Sequence, residues 1–155
     1  MNITGNTILI TGGGSGIGRA LAEALHARGN QVVITGRRES ALKAVVEANP
    51  GMAWAALDVA DPAAIRAFAA QVVRDHPALN VVINNAGIML AEDLKAEPFD
   101  LDVVEATITT NLLGPIRLTT ALLPHLRAQA ASTVITVSSG LAFVPLVATP
   151  TYNAT

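Results

Sequence analysis

The sequence predicts an α/β protein: a doubly wound parallel sheet with helices on both faces, three layers in all. Three observations carry that expectation. Short β-branched runs alternate with helical patterns along the chain. Those runs are near-continuously apolar rather than alternating, as strands buried on both faces must be. The composition supplies an aliphatic core, since 51% of the residues are hydrophobic but only 3% aromatic.

Five strands are expected, at Thr7–Thr11, Gln31–Thr35, Ala53–Asp58, Asn80–Asn84 and Ser132–Ser138. In the first intervening helix, Ile17, Leu21, Ala24 and Leu25 share a face. The second starts after Arg38 and lines up Leu42, Val45 and Val46. Asp61-Pro62 caps and opens the third, where Ile65, Phe68, Ala69 and Val72 recur at helical spacing. A longer helical region runs from about Asp102 to Gln129, with Val104, Ile108, Leu112, Leu118 and Leu122 as its stripe. Pro115 and Pro124 lie inside it and predict a kink or break. The order βαβαβαβαβ with right-handed crossovers gives a doubly wound sheet, expected as one domain over 1–155.

Composition also excludes. Charged residues make up 14% of the chain and the net charge is −2, with no basic cluster beyond Arg37-Arg38, so no nucleic-acid surface is expected. There is no cysteine, hence no disulfide framework, thiolate metal site or cysteine nucleophile. His26, His76 and His125 lack metal-ligand spacing, so no metal is expected. The first residues carry no secretory pattern, and apolar runs stop well short of the ~18 residues of a membrane span, so a cytoplasmic protein is expected. Trp54 reads as packing, Glu92-Asp93 as a solvated loop, and Asp100 to Asp102 as a helix start.

In a doubly wound sheet, ligands bind beyond the carboxyl ends of the strands. The chemically distinctive residues all fall there. Strand one ends in five glycines within seven residues, Gly12 to Gly18, opening a helix whose free N–H groups and dipole favour an anion. Gly36-Arg37-Arg38 follow strand two, Asp58-Val59 strand three, Asn84-Asn85-Ala86-Gly87 strand four, and Ser138-Ser139-Gly140 strand five. Five such loops on one edge are hard to explain as turns alone.

The spacing TGxxxGxG at Thr11 to Gly18 differs from the common G-x-G-x-x-G dinucleotide fingerprint. It resembles the nucleotide loop of the short-chain dehydrogenase/reductase family. Asn84 to Gly87, Asn111, Ser139 and Tyr152, thirteen residues after that serine, match the family pattern in order and spacing. The segment from Ser138 to Thr155 looks most like the DltE-like oxidoreductase subset.

The resemblance implies a Rossmann-like domain and a hydride transfer between nicotinamide and a small-molecule carbonyl or secondary alcohol. It implies cofactor contacts at Gly12, Gly14, Ser15, Gly16, Ile17, Gly18, Asp58, Val59, Asn85, Ala86 and Gly87. Gly12 would make the turn, and Gly16 and Gly18 would let the backbone approach the pyrophosphate. An NAD site usually carries an acid near the end of strand two. Gly36 stands there instead, followed by Arg37 and Arg38, which favours NADP(H) over NAD(H). By the same resemblance, Ser139 would donate to the carbonyl oxygen, Tyr152 would supply the proton, and Asn111 would anchor a water. The alternative is a catalytically silent nucleotide-binding regulator, against which Ser139 and Tyr152 both stand.

The family's lysine, four residues after the tyrosine, would fall at position 156, past the last residue of the sequence. Tyr152 should begin a helix, yet only three residues follow it. The sheet is therefore expected to stop after strand five in a truncated form, as the N-terminal part of a longer polypeptide that acts as a homo-oligomer. No dehydrogenase activity is expected of residues 1–155 alone.

Overall fold

The sheet takes its shape from five runs of aliphatic residues, and all of its strand pairs are parallel. A computed structural model describes residues 2–98 and 101–155. The strands are β1 (Thr7–Thr11), β2 (Gln31–Gly36), β3 (Ala53–Ala56), β4 (Leu79–Asn84) and β5 (Thr133–Thr136). Their order across the sheet is β3-β2-β1-β4-β5. The chain first winds outward from β1 to β3, then crosses back to lay β4 on the other side of β1. The switch point thus lies between β1 and β4, where loop ends splay apart and leave room for a ligand.

Each strand feeds both layers because consecutive side chains point to opposite faces. On one face Leu9, Val33 and Val82 pack with Ile65, Phe68, Ala69 and Val72 of α3 (Pro62–Asp75) and with Leu118, Leu122 and Leu126 of α5 (Gly114–Ala128). On the other, Ile8, Ile10, Val32, Ile34, Val81 and Ile83 pack with Ala22 of α1 (Gly16–His26) and with Leu42 and Val45 of α2 (Glu39–Ala48). The predicted α3 stripe is buried in full. Asp61 caps that helix, its Oδ1 accepting from the amides of Ala63 at 2.7 Å and Ala64 at 3.1 Å. Beneath the sheet, Asn6, Asn30 and Asn80 interlock: the Asn6 amide donates to Asn30, and Asn80 donates to Asn6.

Several boundaries and faces differ from expectation. β3 stops at Ala56 and β5 covers only Thr133–Thr136, because the residues beyond them turn into the ligand-facing loops. In α1, Ile17 and Ala24 face outward and the buried face is Gly18 and Ala22, flanked by Leu21 and Leu25. Gly18 seats the start of the helix against the loops that follow β1 and β4.

The long helical region holds a second departure. α4 (Leu101–Ile108) passes into a π-helical turn at Thr109–Leu113 before α5 begins, and α5 runs through Pro124 without ending. Pro115 has no N–H to offer the Asn111 carbonyl four residues earlier, so the chain widens there instead of breaking. The extra residue per turn shifts the phase, leaving Leu112 exposed and placing Thr107 and Gly114 inward. Asp100 lies outside the described residues, and Asp102 occupies the first turn of α4. Trp54 packs at the margin of the second core with Lys43 Nζ 5.1 Å above its ring. No described helix is long and apolar enough to cross a membrane.

Candidate functional site

The glycine loop joins the end of β1 to α1. Gly12 and Gly16 adopt φ of 70° and 55°, the left-handed region that a β-carbon disfavours. A β-carbon on Gly12 would also lie 3.0 Å from Ala86 Cα, whereas one on Gly16 would meet open space. Gly18 lines the groove and also packs tightly against the protein itself. A β-carbon there would collide with the Gly12 carbonyl and the Asn85 amide, so its bareness lets α1 seat against the protein's own loops. Ser15 is the N-cap of α1 and makes no side-chain cap bond. The first amides of the helix thus keep their hydrogen-bonding capacity for a ligand, and the helix dipole points at the same spot.

The floor of this loop comes from far along the chain. Thr11 Oγ1 accepts the amides of both Asn85 and Ala86 at 3.0 Å, and Asn85 Nδ2 donates to the Thr11 carbonyl at 2.9 Å. One buried hydroxyl therefore ties the end of β1 to the loop after β4. Next to it, Gly13 N–H donates to Thr35 O, joining the glycine loop to β2. Beyond β2, Arg37 and Arg38 are exposed, and Arg38 donates to Ser15 Oγ at 3.2 Å across the mouth of the groove. Two buried oxygens, Thr35 Oγ1 and Asn84 Oδ1, have no hydrogen-bond partner among the described residues, and both residues line the groove.

On the far wall, Asp58 Oδ1 accepts the Ala60 amide at 2.9 Å, fixing the turn after β3. The Val59 carbonyl lies so near Gly114 that a β-carbon on Gly114 would come within 2.8 Å of it, which locks the start of α5 under this turn. Asn111, in the π-helical turn, pairs with the backbone of Ile88 in both directions, accepting at 2.9 Å and donating at 2.8 Å. Its amide also donates to Thr155 Oγ1 at 3.2 Å. Asn111 thus clasps the strand-four loop with its side chain, an employment the sequence reading did not foresee.

The last wall follows β5. Ser139 caps a 3-10 turn at Gly140–Ala142, accepting the Leu141 amide at 3.2 Å. Tyr152 sits in the four-residue helix α6 (Pro150–Asn153). Thr155 Oγ1 donates to the Tyr152 carbonyl, so Asn111, Thr155 and Tyr152 form one chain of contacts.

All these walls enclose one groove of about 740 Å³, within the range that small-molecule sites occupy. Its lining holds Gly12, Gly14, Ser15, Gly16, Ile17, Gly18, Arg37, Arg38, Asp58, Val59, Asn85, Ala86, Gly87, Asn111, Ser139 and Tyr152. Every residue expected to contact cofactor or to act in the chemistry is therefore brought to one place, whereas Gly140 of the strand-five loop lies outside the lining. Thr35, Ile88, Met89, Thr110, Pro115 and Thr136 line it too and were not foreseen, nor was the buried Thr11 beneath it. Thr11 carried the one usable signal, a hydroxyl ending an aliphatic strand at the switch point. Among the described residues no three His, Asp or Glu groups converge as a metal site would require.

The fold and this groove define a doubly wound α/β protein, with a glycine loop at a helix start and a serine and a tyrosine lining the same cavity. The chain belongs to the short chain dehydrogenase family, whose sequence model matches residues 6–155. It is 40% identical over 155 residues to DltE of Bacillus subtilis (strain 168), described as an uncharacterized oxidoreductase, covering 100% of this chain and 62% of that protein. It is 38% identical over 144 residues to dehydrogenase/reductase SDR family member 13 of Bos taurus, covering 89% of this chain and 37% of that one. A short-chain dehydrogenase from Streptomyces avermitilis matches it with a TM-score of 0.88 and 34% identity, over 96% of this chain and 54% of that one. The chain thus spans only part of the length of each of these relatives.

Proposed function

We propose that these residues form the cofactor-binding and proton-donating part of an NADP(H)-dependent oxidoreductase acting on a small carbonyl compound or secondary alcohol. One observation carries the reading: the glycine loop, the arginine pair, Ser139 and Tyr152 all face a single groove. The groove suits a dinucleotide. The uncapped start of α1 offers amides to a pyrophosphate, and Gly16 leaves space where a side chain would intrude. Arg38, bonded to Ser15, and Arg37 beside it offer positive charge to a 2′-phosphate, and no carboxylate ends β2 to repel it.

When bound, the nicotinamide supplies or accepts the hydride. Ser139 Oγ donates a hydrogen bond to the carbonyl oxygen as negative charge grows there. The Tyr152 phenol gives its proton to that oxygen, or takes it back in the oxidative direction. The substrate in this reading is a small molecule, and the enzyme is cytoplasmic and homo-oligomeric.

Two measurements on the complete polypeptide test this. NADP(H) binds more tightly than NAD(H), and Arg37→Ala with Arg38→Ala removes the preference, each charged contact contributing roughly 1.5–3 kcal/mol. Equal affinities in the unaltered protein overturn the cofactor choice. Tyr152→Phe lowers turnover by about 10²–10⁴-fold with NADP(H) affinity unchanged. Retained activity overturns the role of the phenol.

A further inference from the structure

Glu92 lies in the irregular segment after β4, outside every helix and strand, and its sequence suggests a solvated loop. The structure gives it a different employment. Its Oε1 accepts the Thr151 amide at 2.9 Å, and its Oε2 accepts the Thr151 hydroxyl at 2.7 Å. Its own amide donates to the Ala148 carbonyl at 2.9 Å. All three bonds reach the segment that carries Tyr152, and two grip the residue immediately before it.

That segment needs holding. A helix of four residues does not persist unaided, because nucleation fixes several residues for one hydrogen bond. Thr151 stands in its first turn, where amides lack an intrahelical partner. Phe143 and Val147, just upstream, are exposed, so the segment rests on buried Thr149, on α4 and on the 3-10 turn after Ser139 rather than on its own apolar residues. Asn153 braces it to Leu146 from the far side, donating to that carbonyl at 2.8 Å. Among the described residues, no lysine or arginine forms a salt bridge with Glu92. Both carboxylate oxygens bond to Thr151, and two bonds to one residue fix direction as well as position.

We infer that Glu92 is a positioning residue for the reaction: through Thr151 it holds the Tyr152 phenol at the place beside Ser139 where the proton moves. The inference rests on Tyr152 being the proton donor. Glu92 touches no reacting atom, so its effect falls on turnover and leaves cofactor binding alone.

The test is a set of variants in the complete polypeptide. Glu92→Ala removes both side-chain bonds. Glu92→Gln keeps both, because the amide oxygen accepts the Thr151 N–H and the amide nitrogen donates to a rotated hydroxyl. Thr151→Ser keeps the hydroxyl, and Thr151→Val removes it. Glu92→Ala is expected to lower kcat about 10- to 100-fold, while Glu92→Gln and Thr151→Ser stay within about threefold of the parent. KM for NADP(H) stays unchanged, and hydrogen exchange in a peptide spanning residues 148–155 quickens in Glu92→Ala alone of these three. Parental kcat and parental exchange in Glu92→Ala, in a protein that Tyr152→Phe inactivates, overturn the inference and leave the proton donor standing. An active Tyr152→Phe removes the proton donor and this role with it. Should Glu92→Ala fail to fold, Thr151→Val decides: kcat below that of Thr151→Ser supports the tether, and equal kcat overturns it.

Discussion

β1 and β5 are both short runs rich in β-branched residues, yet they live in different surroundings. Ile8, Leu9 and Ile10 of β1 are 0% exposed, with a parallel partner on each side and helices on each face. β5 has one partner, alternates between half-buried and exposed, and leaves Val134 42% exposed. The groove spans both environments. Its glycine loop grows from the most constrained strand, whereas Ser139 and Tyr152 follow the least constrained one. Shape in the first half is set by packing, by the Gly12–Gly18–Asn85 contacts and by the buried Thr11 hydroxyl that ties β1 to the loop after β4. In the second half, with little packing, side-chain hydrogen bonds hold the chain almost alone: Glu92 to Thr151, Asn153 to Leu146 and Asn111 to Thr155.

The contrast can be broken by substitution. Leu118→Ala, in the fully buried face of α5, should lower unfolding free energy by about 2–5 kcal/mol through lost transfer energy and a residual cavity. Denaturant midpoints would show it, and a small loss would mean the closed half is looser than its burial implies. Gly18→Ala should cost about 1–3 kcal/mol, since the new methyl meets the Gly12 carbonyl and cannot be accommodated by a rotamer change. Calorimetry with and without nucleotide would record lower thermal stability together with weaker nucleotide binding.

A smaller effect is tied to pH. The amides of Ala64 and Ala63 hold the Asp61 carboxyl below its ordinary value of 3.8. A carboxylate so depressed adds stability that is complete above that ordinary value and fades as pH falls through the folded one. The stability gap between the parent and Asp61→Ala should therefore be widest near neutrality and narrow below pH 3.8, as urea titrations at several pH values would show. Asp61→Asn keeps an acceptor oxygen, and its stability relative to Asp61→Ala should not vary with pH. Smallest of all, Val134→Thr on the exposed face of β5 should change stability by about 0.5 kcal/mol or less. A loss matching that of Leu118→Ala would erase the distinction between the two strands.

Much of this was legible in the chain itself, because periodicity is a local property. The α3 stripe from Ile65 to Val72 follows from helical spacing alone, and the site loops from their place after each strand. What escaped depends on partners distant in sequence or on a single missing proton. Thr11 meets Asn85 across 74 positions and Glu92 meets Thr151 across 59, separations no spacing rule encodes. Pro115 announced a disturbance, but whether a helix kinks, breaks or widens there depends on what packs around it, here Val59 against Gly114. Helical spacing alone put Ile17 on the core face, whereas the family resemblance put it at the cofactor, and it is exposed and lines the groove.

The hydroxyl of Thr11 has a further consequence, one of timing. Its partners Asn85 and Ala86 follow β4, and β4 pairs with β1 across more than seventy positions, Thr7 standing beside Leu79. As the chain emerges from the ribosome, β1 can join β2 early, but the glycine loop lacks its floor until the fourth strand has been made and threaded alongside. Loop closure over that distance belongs to the slow end of folding, because entropy is lost before the contacts return it. The groove is thus completed late, when most of the sheet already exists. A ligand of the groove then favours the finished protein by mass action, and it acts by retarding unfolding rather than by hastening the earlier steps.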